Sequence, residues 1–152
     1  MTEEFEDLLD TAIYKEIATQ AWYETALNKT KDPGAKVLLI ELADSEQKHS
    51  QWLNELKERG FTKEDWHPDR VTDLKISEYL IQSDYVEGAG PQEILVFAMK
   101  REQEAVEFYS RMMSVLRDEK AKRLCETLVH EELRHKLRLE LIYENLLYGQ
   151  NY

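Results

Sequence analysis

Only one cysteine, three prolines and five glycines occur in the 152 residues. A single cysteine excludes a disulfide framework and any four-cysteine zinc or iron centre built within the chain. So little glycine and proline argues against collagen-like, linker-like and turn-rich all-β chains. Positive charge is also in short supply, with 20 Lys and Arg against 31 Asp and Glu and a formal net charge of −11. That balance speaks against nucleic-acid binding, which requires a basic footprint, and it suits attraction of metal cations. No apolar run approaches the roughly 18 residues of a membrane span. The first residues, Met1-Thr2-Glu3-Glu4-Phe5-Glu6-Asp7, lack the basic and apolar stretches of a secretory leader. The expectations are no nucleic-acid partner, no membrane and a cytoplasmic location.

What the chain does have is charge, 34% of residues against about 25% in an average domain, arranged with helical periodicity. Its length predicts one domain, residues 1–152. Four long segments repeat apolar residues every three or four positions. The first runs from Glu4 to Asn28 and the second from Pro33 to Arg59, with Asp32 as N-cap, Pro33 at the first helical position and Gly60 as the stop. The third starts at Pro91 after Gly88-Ala89-Gly90 and runs to Leu116; the fourth runs from Asp118, a second N-cap candidate, to Tyr148. Short connections make the first and second pairs antiparallel hairpins. The stretch Phe61 to Gly90 between them is long enough to travel the length of a helix, and Leu74–Val86 within it suits a short helix. Two hairpins joined by one long crossover between the second and third helices predict an all-α, ferritin-like four-helix bundle.

The core-facing seams contain an anomaly. They read Leu9, Ala12, Glu16, Thr19, Tyr23, Ala26 in the first segment and Leu39, Leu42, Glu46, His49, Leu53, Leu56 in the second. The third gives Leu95, Ala98, Glu102, Ala105, Tyr109, Met112, Leu116, and the fourth Cys125, Leu128, Glu132, His135, Leu139, Ile142, Leu146. Each seam is apolar at its ends and ionisable at its centre. An internal repeat sharpens the pattern: Glu16 and Glu102, Glu46 and Glu132, and His49 and His135 are all separated by 86 positions. The same offset relates Asp32 to Asp118, Tyr23 to Tyr109 and Trp22 to Phe108. Two related hairpins about a pseudo-twofold axis would bring the six polar positions to one layer.

Four carboxylates in a core layer repel one another, and burying even one unpaired costs several kcal/mol. Two divalent cations would balance them, with two imidazoles completing the donor set. Oxygen and nitrogen donors without thiolate favour iron or manganese over structural zinc. Residues three apart share a helix face, so Glu-x-x-His aims both side chains at one point. One such motif in a glutamate-rich helix would be an ordinary solvated face. Two of them, with two further glutamates at one common offset, point to a metal site.

With these residues in view the chain resembles the ferritin-like di-iron carboxylate proteins, in which one Glu on each of two helices joins Glu-x-x-His on each of the other two. Glu16…Trp22-Tyr23 and Glu102…Phe108-Tyr109 resemble the helices of rubrerythrins, and Leu42–His49 and Leu128–His135 their paired metal-binding helices. The resemblance implies two irons roughly 3.5–4 Å apart that react with peroxide or dioxygen, with manganese or zinc as possible substitutes. It makes Glu46 and Glu132 bridging ligands, Glu16 and His49 terminal ligands of one ion, and Glu102 and His135 of the other. It also implies a homodimer. Rubrerythrins add a four-cysteine rubredoxin domain, whereas this chain stops after the fourth segment, so the expected electron donor is a separate rubredoxin-like protein. Their seventh ligand is a Glu three residues after the third-helix glutamate, where Ala105 stands. The six-residue set equally resembles bacterioferritin, but Gln47 and Lys48 occupy the place of its haem-ligating Met, so no haem is expected.

Tyr23 and Tyr109 are expected to hydrogen-bond ligand carboxylates, rather than to pass electrons. Cys125, Met112 and Met113 read as core, His130 as surface, His67 as turn packing and Lys57-Glu58-Arg59 as a solvated face. The leading function is a di-iron oxidoreductase, peroxidase or ferroxidase, coupling Fe(II) oxidation to reduction of hydrogen peroxide or dioxygen. The alternatives are an iron-binding or storage protein of the bacterioferritin type, and a bundle that keeps a metal for stability.

Overall fold

The computed structural model describes residues 1–66, 71–80 and 89–148. Four helices dominate it: α1 (Glu3–Lys29), α2 (Pro33–Arg59), α3 (Pro91–Val115) and α4 (Glu119–Tyr148), with single 3₁₀ turns at Lys63–Asp65 and Ile76–Tyr79. The bounds agree with the periodicity to within a residue or so because the caps are strong. Asp32 accepts a hydrogen bond from the Ala35 amide at 3.0 Å, and its repeat partner Asp118 accepts one from the Ala121 amide at 3.0 Å. Gly60 ends α2 with φ of 86°, a conformation that favours a residue without Cβ. Of the Leu74–Val86 stretch, only Ile76–Tyr79 is a 3₁₀ turn among the described residues, and 81–86 lie outside them. His67 also lies outside the described residues.

The ends of the helices establish the topology. At one end the Glu4 carboxylate accepts from the amides of Arg117 (2.9 Å) and Asp118 (2.6 Å), joining the start of α1 to the start of α4. At the other, Thr30 Oγ donates to the Ala89 carbonyl at 3.3 Å, and a Cβ at Gly34 would meet Pro91 Cγ at 3.0 Å. The starts of α2 and α3 therefore meet, and the crossover travels the length of the bundle. Side by side, α1 faces α3 and α2 faces α4. Trp22 packs on Phe97 at 5.4 Å, and Arg138 reaches Glu41 at 3.6 Å. This is the ferritin-like arrangement. No helix of the described residues is long and apolar enough to cross a membrane.

The duplication is visible in the contacts. Lys15 of α1 lies 4.0 Å from the centre of the Phe108 ring on α3, and Arg101 of α3 lies 5.0 Å from that of Trp22 on α1. Residues 15 and 101, like 22 and 108, stand 86 apart, so the two contacts are one contact repeated about the pseudo-twofold. Two apolar clusters result. One holds Phe5, Leu8, Leu9, Leu53, Leu56, Tyr109, Cys125 and Leu128; the other Tyr23, Leu39, Leu95, Phe97, Ala98 and Leu139. The polar layer of the seams divides them. Cys125 is fully buried and its thiol is pushed up to about 12 by burial, which leaves it an inert core residue. Met112 and Met113 pack on the same cluster, and His130 is half-buried rather than on the surface.

The crossover is where the halves part company. Arg59 is exposed, as expected of a solvated face, and forks onto Asp65 at 2.7 and 2.8 Å; the same carboxylate accepts from the Thr62 amide at 2.9 Å. Trp66 Nε1 donates to Glu126 at 2.7 Å. Further along, Lys136 of α4 is fully buried, bonded to Asp73 and 3.6 Å from the buried Glu140. Glu140 in turn accepts from the Ile76 amide at 2.7 Å, and Lys100 donates to the Ser77 carbonyl. In the other half the equivalent positions are Ser50 and Asn54, linked by a plain side-chain to carbonyl bond at 2.9 Å. One buried lysine thus fastens the crossover to α4. Lys136→Ala is expected to cost about 3–5 kcal/mol of unfolding free energy in denaturant titration, because it strands two carboxylates without their cation. A cost below about 1 kcal/mol would mean that water already solvates the group.

Candidate metal centre

Each of the four helices brings one glutamate to the middle of the bundle, and α2 and α4 add a histidine one turn further on. Glu16, Glu46, Glu102 and Glu132 are all buried, with 1–3% of their surface exposed. His49 Nδ1 lies 3.2 Å from Glu16 and 3.4 Å from Glu132; His135 Nδ1 lies 3.8 Å from Glu102 and 3.9 Å from Glu132. Two groups of donors form. Glu46, Glu102, Glu132 and His135 each offer an atom within 4.8 Å of the others, and so do Glu16, His49 and Glu132. Glu132 belongs to both. Glu46 belongs to the first, and its charge also acts on Glu16.

The layer is electrostatically unfinished. Neither ring nitrogen of His49 has an aligned hydrogen-bond partner among the described residues, nor does Glu46 Oε2. Groups this deeply buried are normally satisfied. Burial, reinforced by the charge of Glu132 and the nearby Glu46, holds the Glu16 carboxyl well above the ordinary carboxylate range. Glu102 is raised for the same reasons, burial first and then Glu132 and Glu46. Glu132 goes the other way. Burial would raise it, but the carboxyls of Glu102 and Glu16 and the imidazoles of His49 and His135 together hold it below that range. Orphaned oxygen and nitrogen donors without sulfur, gathered in two groups, fit a pair of divalent ions of the iron or manganese type.

The tyrosines take a different place from the one expected. Tyr23 and Tyr109 are fully buried, but neither hydroxyl has a hydrogen-bond partner among the described residues. The expected bonds to site carboxylates are not formed. Each ring is gripped edge-on by its sequence neighbour, Trp22 at 5.5 Å and Phe108 at 5.3 Å, within the apolar clusters on either side of the layer. Each hydroxyl is pushed well above its ordinary range, by burial first and then by a glutamate of the opposite half, Glu102 for Tyr23 and Glu16 for Tyr109. Ala105, where the resemblance places a seventh ligand, packs its methyl group against the apolar cluster.

The seams also gave no hint of Trp52. Its indole stacks on the His49 ring at 5.7 Å and 8°. The signal was present, since Trp52 follows His49 by three positions and shares its helix face. His49, Trp52, Ser45, Lys48, Glu131 and His135 line a surface cleft of about 360 Å³ between α2 and α4. Beside Glu46, Glu102 and His135 lies a smaller cavity of about 20 Å³, walled by Leu38, Leu42, Leu139 and Ile142. It has room for a water molecule or a diatomic.

A four-helix bundle whose centre carries paired Glu-x-x-His motifs and two further glutamates defines a class of carboxylate-rich metal proteins. Comparison with known proteins narrows it. Residues 7–143 match the Rubrerythrin family model, and the chain belongs to the rubrerythrin family. A solved structure of a hypothetical protein from Pyrococcus furiosus is similar to it, with 29% identity and a TM-score of 0.54 over 94% of this chain and 90% of that one. No curated protein matches.

The sign of the carboxyl shifts leads to a measurable outcome. Glu16 and Glu102 bind protons more tightly folded than unfolded, so their contribution to stability is fully present below the ordinary carboxylate range. It is lost as pH rises from there through their raised values. Metal-free protein is therefore expected to melt lower at pH 8 than at pH 5. The double variant Glu16→Gln, Glu102→Gln should flatten that slope and be at least as stable as the metal-free wild type at neutral pH. A double variant melting well below it, with unchanged helical content, would show that the carboxylates do not repel one another.

Proposed function

We propose that the protein is a non-haem di-iron oxidoreductase that couples Fe(II) oxidation to the reduction of hydrogen peroxide or dioxygen. One observation carries the reading: six donors from four helices, five buried and His135 half-buried, lie in one layer, as two groups that share Glu132. In this reading Glu16 and His49 would hold one ion, Glu102 and His135 the other, with Glu46 and Glu132 between them. Bound iron would supply the electrons, since two ferrous ions becoming ferric release the two that convert one peroxide to two waters.

The chain's own part is to bind and orient. The four glutamates would neutralise the added positive charge, and Glu16 and Glu102, which hold their protons more tightly than ordinary carboxyls, would release them in doing so. The two protons that conversion of peroxide to two waters takes up would come from solvent. The cavity at Glu46, Glu102 and His135, walled in part by Leu38, Leu42, Leu139 and Ile142, has room for a small oxidant. The reading includes a separate rubredoxin-like electron donor and a homodimer. The second reading, a ferroxidase that loads iron as its cargo, is supported by Ala105, which leaves six donors instead of seven.

Anaerobic Fe(II) titration should saturate at two ions per chain, matching four carboxylates against two dications. Separate peroxide and dioxygen challenges should then produce a ferric absorption band. Saturation at one ion, or no uptake, counts against the centre. A peroxidase should turn over with added rubredoxin-like donor and remain small on gel filtration, whereas a storage protein should elute as a large assembly holding many irons per chain. Glu132→Ala is expected to reduce occupancy of both ions, and His130→Ala to leave both in place.

A further inference from the structure

We infer that Trp52 is the positioning residue for His49, clamping its imidazole by offset parallel stacking where metal-binding histidines usually rely on an outer hydrogen bond. The inference rests on the metal-centre reading above. A ligating histidine ordinarily donates its second ring N–H to a carboxylate, carbonyl or water, which fixes the ring plane. His49 has no such bond: Nδ1 faces Glu16 and Glu132, and Nε2 has no partner among the described residues. What it has is the indole of Trp52, parallel to within 8° at 5.7 Å. The imidazole can then rotate about χ2 only by breaking that stack. The His135 ring meets the His49 ring edge-on, at 76°, which leaves it free of any similar clamp from that contact.

The internal repeat provides the control. The position equivalent to Trp52 is Arg138, whose side chain is 64% exposed and directed to Glu41 at 3.6 Å. It lines the small cavity beside Glu46, Glu102 and His135 but brings no flat ring against the imidazole. The consequence shows in exposure: the His49 side chain is 7% exposed and that of His135 is 25%. Two half-sites derived from one ancestral hairpin are thus unequal, one clamped and shielded by Trp52, the other open to the cleft and next to the small cavity.

The test is Co(II) titration of the full-length chain, followed by its visible ligand-field spectrum. In Trp52→Leu, one of the two Co(II) ions should bind about 10–100-fold more weakly, the range typical of lost outer partners, with an altered band shape, while the other keeps its affinity. Trp52→Met retains apolar bulk without a flat face; it should behave like Trp52→Leu, and it decides the question if the leucine variant fails to fold. Trp52→Phe should restore binding to within a few-fold of wild type. Wild-type affinity for both ions in Trp52→Met overturns the clamp, as does equal weakening of both, or failure of phenylalanine to rescue. A wild-type chain that takes up no Co(II) overturns the metal-centre reading itself, and this inference with it.

Discussion

Mutual repulsion among four buried carboxylates is the constraint on which the rest of this structure turns. Each glutamate is at a position the helix period assigns to the core, and each costs several kcal/mol there if ionised and unpaired. The protein divides its apolar core in two to make room for them. Without a cation, the layer answers by holding protons on Glu16 and Glu102, while Glu132 remains ionised among acids and imidazoles. Bound divalent cations would supply the missing charge directly. Proton uptake and metal binding are therefore two ways of relieving the same repulsion, and both are thermodynamically linked to folding.

Duplication explains how a chain of modest length builds such a layer. One hairpin supplies Glu, Glu and His; a second copy, turned about a pseudo-twofold, supplies the other three. The reciprocal contacts of Lys15 on Phe108 and Arg101 on Trp22 are the mark of that symmetry outside the site. Departures from it are concentrated where the halves have different tasks. Ser50 and Asn54 face no crossover, while their equivalents Lys136 and Glu140 are buried and hold one in place. Trp52 covers His49, while its equivalent Arg138 points to Glu41. A symmetric scaffold has acquired an asymmetric centre.

Membership of the rubrerythrin family and the fold agree with the donor chemistry. The agreement is informative because the three rest on different grounds: one on similarity across residues 7–143, one on helix packing, one on charge. What can reach the donor layer depends on the cleft and the small cavity. Those openings are shaped by Leu38, Leu42, Trp52, Leu139 and Ile142 as much as by the ligand set.

Local rules made the helices and the candidate centre legible in the sequence. Asp32, Pro33, Gly60 and Asp118 marked the boundaries because caps act over three or four residues, and one common offset picked out Glu16, Glu46, His49, Glu102, Glu132 and His135 as a set. Periodicity could place these side chains on the core face, but it carries no information about what they meet across the bundle. Tertiary packing decided that the rings of Tyr23 and Tyr109 are held in the apolar clusters, with neither hydroxyl bonded to a carboxylate among the described residues. It decided as well that Lys136, which composition alone would leave in water, is buried and paired with Asp73 of the crossover. A charged side chain is buried only when a distant segment brings its counter-ion, and no short-range pattern encodes that meeting.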